Sequence, residues 1–102
     1  MITVNNNPLG LIMNVVESLG LEVTYAYDDL VFVAHSAFLF QMDKNPQVVN
    51  LYFNQQSDIN ARAGLAESLI KYGQENGLTI MNKGIFAIEQ QEEENLKITF
   101  SH

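Results

Sequence analysis

The chain has 102 residues, 47% of them apolar, and a formal charge of −7, which describes one domain with a single core and excludes a disordered tail. It has no cysteine, so disulfides, thiolate metal sites and a cysteine nucleophile are excluded together. Its five basic residues, Lys44, Arg62, Lys71, Lys83 and Lys97, are scattered, and no basic patch for the phosphates of a nucleic acid can be assembled from them.

The opening MITVNNNPLG has neither a basic stretch nor a long apolar core, so no secretory signal is expected. No apolar run approaches the roughly 18 residues of a membrane span. Asn7-Pro8 predicts a helix start, with Asn as the cap and Pro at the first helical position. Gly20 is the matching stop. Along Pro8 to Leu19, the side chains of Leu9, Met13, Val16, Ile12, Leu19, Val15 and Leu11 cover an arc of roughly 200°, where packing on one surface needs roughly 100°. The surplus flank, Leu11 and Val15, has to be covered by something.

From Glu22 to Asn54 the chain reads EVTYAYDDLVFVAHSAFLFQMDKNPQVVNLYFN, three or four consecutive strands. Val23, Tyr25 and Tyr27 alternate with Glu22, Thr24 and Ala26. Asp28-Asp29 is a hairpin turn. Leu30 to Ala34 is apolar on both faces, and His35-Ser36 is a second break. Ala37 to Met42 puts Phe38, Phe40 and Met42 on one face. Asp43-Lys44-Asn45-Pro46 is a turn. Val48 to Asn54 puts Val49, Leu51 and Phe53 on one face. The short connections favour antiparallel neighbours.

A second helix is expected over about Asp58 to Asn76, capped by Ser57 or Asp58 and ended by Gly77. Ile59, Ala63, Ala66, Ile70 and Gly73 form its inner stripe. Leu65, Leu69 and Tyr72, with Ala61, widen the apolar arc to roughly 200° again. Gly64 and Gly73 are weak helix formers whose small size suits close approach to a neighbour. Leu78 to Met81, the turn Asn82-Lys83-Gly84, and Ile85 to Gln90 follow. Gln91-Glu92-Glu93-Glu94-Asn95 reads as a charged turn. Leu96, Ile98 and Phe100 then alternate with Lys97 and Thr99 in a half-exposed strand. The fold expected is α+β: one domain over 1–102, with an antiparallel sheet of about five strands, order α-β-β-β-α-β-β, and the helices packed on the sheet.

That element order resembles the type III secretion chaperone fold, a class of small acidic bacterial proteins. The nearest local likeness is GLTIMNKGIFAIEQQEEENLKITF, from Gly77 to Phe100, together with the leading helix and the Asp28-Asp29 turn. Those chaperones continue into a third helix where this chain stops at His102. The resemblance implies an intertwined or side-by-side homodimer with the second helix near the seam; a cytoplasmic location is expected separately, since the absence of cysteine fits a reducing compartment. It also implies an apolar groove, made by the first helix and the first strands, that takes an extended partner segment. Joined to the surplus helix flanks, it gives Ala61, Leu65, Leu69 and Tyr72 as dimer-interface residues. Leu11, Val15, Val31, Val33 and Leu39 are the partner-binding residues.

Residues that could carry chemistry read more simply as structure. Neighbours on a strand point to opposite faces, so His35 and Ser36 cannot form a nucleophile–base pair there. His102 is terminal and expected to be mobile. Asp28-Asp29 lacks the converging carboxylates of an acid–base or metal site, and Glu92 to Glu94 read as a solvated turn. Glycine-rich phosphate loops are absent. No catalytic residue, cofactor or metal site is expected. The function expected is a protein-interaction module, chaperone-like or adaptor, with no nucleic-acid or membrane partner. The alternative is a small-ligand binder or minor enzyme, with its pocket between the first helix and the sheet and Tyr and Asn side chains as handles.

Overall fold

The computed structural model describes residues 8–90 and 96–102. The expected Asn7 cap and the acidic turn at 91–95 lie outside the described residues. Two α-helices, α1 (Leu9–Ser18) and α2 (Ile59–Glu75), accompany six strands: β1 (Val23–Tyr27), β2 (Leu30–Val33), β3 (Phe38–Met42), β4 (Val48–Asn54), β5 (Thr79–Gln90) and β6 (Leu96–Ser101).

Both helices stop where their glycines allow. Gly20 (φ +75°) follows α1, with Leu21 N donating to Val16 O at 3.1 Å and Gly20 N to Glu17 O at 3.0 Å. Gly77 (φ +76°) follows α2, with Leu78 N donating to Gly73 O at 2.8 Å and Gly77 N to Gln74 O at 3.2 Å. Each pair of bonds satisfies carbonyls that the helix end would otherwise orphan. Asp58 caps α2 by accepting from Asn60 N. Arg62, one turn in, donates to Ser57 Oγ at 3.0 Å and to the carbonyls of Asn54, Gln55 and Ser57 at 3.1 Å each. That fan of bonds fixes the path from β4 into α2.

The sheet is six-stranded and runs β1-β2-β3-β4-β5-β6 in chain order. Two features differ from the expectation. Four strands, not three, precede α2, because the break at His35-Ser36 is a full turn between β2 and β3. And β4 pairs with β5 in parallel, so the sheet is mixed. A helix supplies the crossover that a parallel pair needs, and α2 does this between β4 and β5.

One face of the sheet carries the helices. Ile12, Val15 and Val16 of α1 and Ala66 and Leu69 of α2 join Val31, Val33, Phe38, Phe40, Val49, Leu51, Phe53 and Ile80 in the main core. Burying each large apolar side chain there contributes about 1.5–3 kcal/mol. The helices also pack against each other. A helix with a sheet beneath it and a helix beside it needs two apolar stripes, which accounts for the 200° arcs within one chain. Val15 and Leu69 are fully buried. Leu11, Leu65 and Tyr72 are partly buried against the same core.

Gly73 marks a close helix–strand approach. A Cβ there would stand 2.7 Å from Leu78 O and 2.9 Å from Ile80 Cδ1, whereas a Cβ at Gly64 meets nothing within 4 Å. Gly73→Ala is therefore expected to lose about 1–3 kcal/mol of stability through overpacking. Gly64→Ala is expected to gain about 0.5–1 kcal/mol from helix propensity. Urea midpoints of the two variants check the opposite signs.

Candidate functional site: the helix-free face of the sheet

Among the described residues no helix lies on the other face of the sheet, yet it is apolar. Phe32, Leu39, Tyr52 and Phe86 form a second buried cluster, with Leu30, Ile98 and Phe100 packed around it. The face is concave. Three inter-strand steps separate β2 from β5, roughly 14 Å along a flat sheet, yet the rings of Phe32 and Phe86 lie 6.1 Å apart, edge to face. Only a sheet curled toward this side brings them together.

Two β-bulges aim further side chains into the concavity. In β1, Val23 pairs with Val33 but Tyr25 pairs with Phe32, so Thr24 is the extra residue. Without it, Tyr25 and Tyr27 would point toward the helices with Val23. With it, they stand beside Phe32 and Leu30 on the open side. The Thr24 hydroxyl accepts from His35 N at 2.8 Å. In β5, Leu51 pairs with Asn82 and Tyr52 with Gly84, so Lys83 is the extra residue. The expected turn at 82–84 is this bulge, and β5 runs through it unbroken. It sends Ile80 and Ile85 to the helix side and Phe86 and Ile88 to the open side. Bulges commonly re-aim side chains beside functional sites.

The result is a hollow of about 480 Å³ lined by Tyr25, Tyr27, Leu30, Phe32, Ser36, Ile88, Leu96 and Ile98. Its volume lies in the range of small-molecule and peptide pockets. Among the described residues no charged side chain lines it. Its floor is buried, but its walls are wet: Tyr25 is 58% exposed, Tyr27 66% and Leu96 59%. Tyr25 and Tyr27 stack with centroids 6.4 Å apart and planes within 14°. The β5–β6 ribbon forms the opposite wall. Its residues beyond Phe86 have no β4 partner, since the last β4 pair is Asn54 with Phe86.

The β2–β3 turn closes one end. Ala34, His35 and Ser36 are all left-handed, with φ of 53°, 55° and 69°, a conformation costing about 1–2 kcal/mol for each non-glycine residue. Asn54 Nδ2 holds it by donating to Ser36 O at 3.0 Å. His35 is exposed on this turn, at the break expected there, so the strand geometry invoked against pairing it with Ser36 does not apply. At the C-terminus, His102 Nε2 lies 3.2 Å from Tyr52 Oη, and Phe100 packs on the same tyrosine at 4.5 Å.

The nine interface and partner-binding residues separate by burial. Val15, Val31, Val33, Leu39 and Leu69 are fully buried in the chain's own cores, and in the folded chain they offer nothing to a partner. Leu39 belongs to the floor beneath the open face, while Val15, Val31 and Val33 belong to the helix side. Leu11 and Tyr72 are half-buried. Ala61 and Leu65 line a smaller cleft of about 180 Å³ with Ala37, Phe38, Phe53 and Arg62. The space between α1 and the sheet is filled by Ile12, Val15 and Val16, so the large hollow lies on the opposite side of the sheet from the pocket expected. Tyr25, Tyr27, Ile88, Leu96 and Ile98 were missed as site residues. Their signal was the apolar second face of Leu30 to Ala34, which leaves a face that two helices cannot cover.

Among the described residues no group of three His, Cys, Asp or Glu side chains converges on one point, and no helix is long and apolar enough to cross a membrane. No family model matches the chain, and neither does any curated protein or solved structure.

Proposed function

We propose that this chain is a protein-interaction module that holds an extended apolar segment of a partner in the hollow of the helix-free face. One observation carries the reading. Two separate bulges, at Thr24 and Lys83, turn Tyr25, Tyr27, Phe86 and Ile88 toward that face and leave all but Phe86 exposed around a cavity with no charged side chain among its described lining residues. Exposed apolar patches of this kind are a cost in a solitary protein and mark binding surfaces. A chaperone-like or adaptor role follows from that use of the surface. The resemblance to secretion chaperones is one of element order and of the stretch Gly77 to Phe100, and the chain carries one strand more before α2.

A photo-crosslinking residue placed at Tyr27 is expected to capture partner protein in cells, and the same residue placed at Lys71, on the exposed side of α2, is not. Equal capture at both positions, or none at Tyr27, would sink the reading.

The homodimer is a narrower proposal. Of the four seam residues, Ala61 and Leu65 keep accessible surface beside the small cleft, next to Ile59, which is 70% exposed. Light scattering is expected to give a dimer for the wild type at tens of micromolar and a folded monomer for Leu65→Asp; a strict wild-type monomer removes the seam. The same hollow also suits a small apolar molecule, a second reading favoured by its volume and its buried floor. A mass spectrum of protein purified under native conditions, showing a bound organic compound, would promote it.

A further inference from the structure

We infer that the segment taken by the hollow is cationic: an apolar stretch of a partner protein flanked by arginine or lysine. This rests on the reading of the hollow as a docking site and adds the charge of its occupant. The chain carries twelve acidic residues against five basic ones, and none of the five basic side chains lines the hollow. Lys97 pairs across the ribbon with Glu89, on the side away from Leu96 and Ile98. Arg62 and Lys71 belong to α2, on the far side of the sheet, and Arg62 is occupied with the β4–α2 connection. Asp28 and Asp29, by contrast, are exposed and directly join the lining residues Tyr27 and Leu30.

An anionic head group, whether carboxylate or phosphate, finds no cation here. A basic one meets carboxylates at the turn. It also meets the faces of two exposed, stacked tyrosines, and a guanidinium or ammonium within about 6 Å of such a ring is attracted by its quadrupole. The uncharged lining takes the apolar part, and the surrounding negative field attracts the flanks.

The test uses three fluorescein-labelled peptides on the full chain: Arg-Arg-Leu-Phe-Leu-Arg-Arg, Glu-Glu-Leu-Phe-Leu-Glu-Glu and Arg-Arg-Ser-Ser-Ser-Arg-Arg. Fluorescence anisotropy is read at about 50 and 300 mM salt, between which the Debye length falls from about 14 to about 6 Å. The first peptide is expected to bind at least about tenfold tighter than either of the others at low salt; at high salt its margin over the glutamate peptide shrinks, while its margin over the serine peptide, which is apolar in origin, persists. Tyr27→Ser is expected to weaken it about tenfold. The double variant Asp28→Asn, Asp29→Asn is expected to weaken it about threefold. Asn tolerates the positive φ of Asp28, so the turn is kept. If the glutamate-flanked peptide binds as tightly as the first, the charge inference is wrong while the docking site stands. If the serine peptide binds as tightly, the attraction is to the acidic surface at large and the inference fails. If no peptide binds at about millimolar concentration, the inference and the docking reading fail together.

Discussion

Phe86→Ala is expected to lower the unfolding free energy by about 3–5 kcal/mol, close to the whole stability of a marginal domain. Phe86 is fully buried although no helix covers its face. It meets Phe32 edge to face at 6.1 Å and shares a cluster with Leu39 and Tyr52. Removing its ring deletes the contact by which β5 reaches across to β2 and leaves a cavity in the floor. Leu96→Ala, on the exposed wall of the same hollow, is expected to cost less than about 1 kcal/mol, since most of that side chain is already in water. Chemical denaturation of both variants separates a structural floor from a spendable rim. Similar losses from the two would mean that the rim is core and has no surface to offer.

Gly84→Ala carries the second large effect, a loss of about 3 kcal/mol. Its φ of +146° lies where a Cβ is strained. An added Cβ would also run into the Ser101 carbonyl, with His102 Cα at 2.9 Å. The three nearest atoms are all backbone of Ser101 and His102, so no flexible side-chain end is there to yield. The clash falls on the strand whose Phe100 and His102 pack on Tyr52, so the variant is expected to loosen β6 first. Faster hydrogen exchange at Thr99 to Ser101 than at Phe38 to Phe40 is the readout. An unchanged denaturation midpoint would show that the bulge adapts to a side chain.

Signals in the chain hold where they act locally. Gly20 and Gly77 end helices, Asp58 begins one, and Asp28 takes the positive φ that a tight turn requires. The faces of β3 and β4 follow simple alternation. Alternation failed where a residue is inserted. Val23, Tyr25 and Tyr27 look like one face by counting in twos, but Thr24 inverts the count after Val23 and two tyrosines change sides. Asn82-Lys83-Gly84 has the composition of a turn, and the same residues serve a bulge equally well. The greasy flanks of the helices misled for a different reason. Counting around one helix cannot say whether the second stripe meets a neighbour in the same chain or in another, and α1 and α2 meet each other. The parallel β4–β5 pair was hidden because a helix between two strands also suits an antiparallel return. Nothing short of the tertiary partner decides between them.

The pairing of β4 with β5 has a consequence for how the molecule assembles. Every other neighbouring pair is joined by a short connection, whereas Val48 meets Thr79 only after about thirty intervening residues are drawn in. Contacts of that separation raise the entropic barrier to folding and slow it. The N-terminal meander is thus expected to zip from hairpins, with the last ribbon arriving late through α2. In a stopped-flow refolding experiment, a fluorophore near Phe100 would lag one near Phe40, and simultaneous arrival would mean that the chain collapses as a single unit.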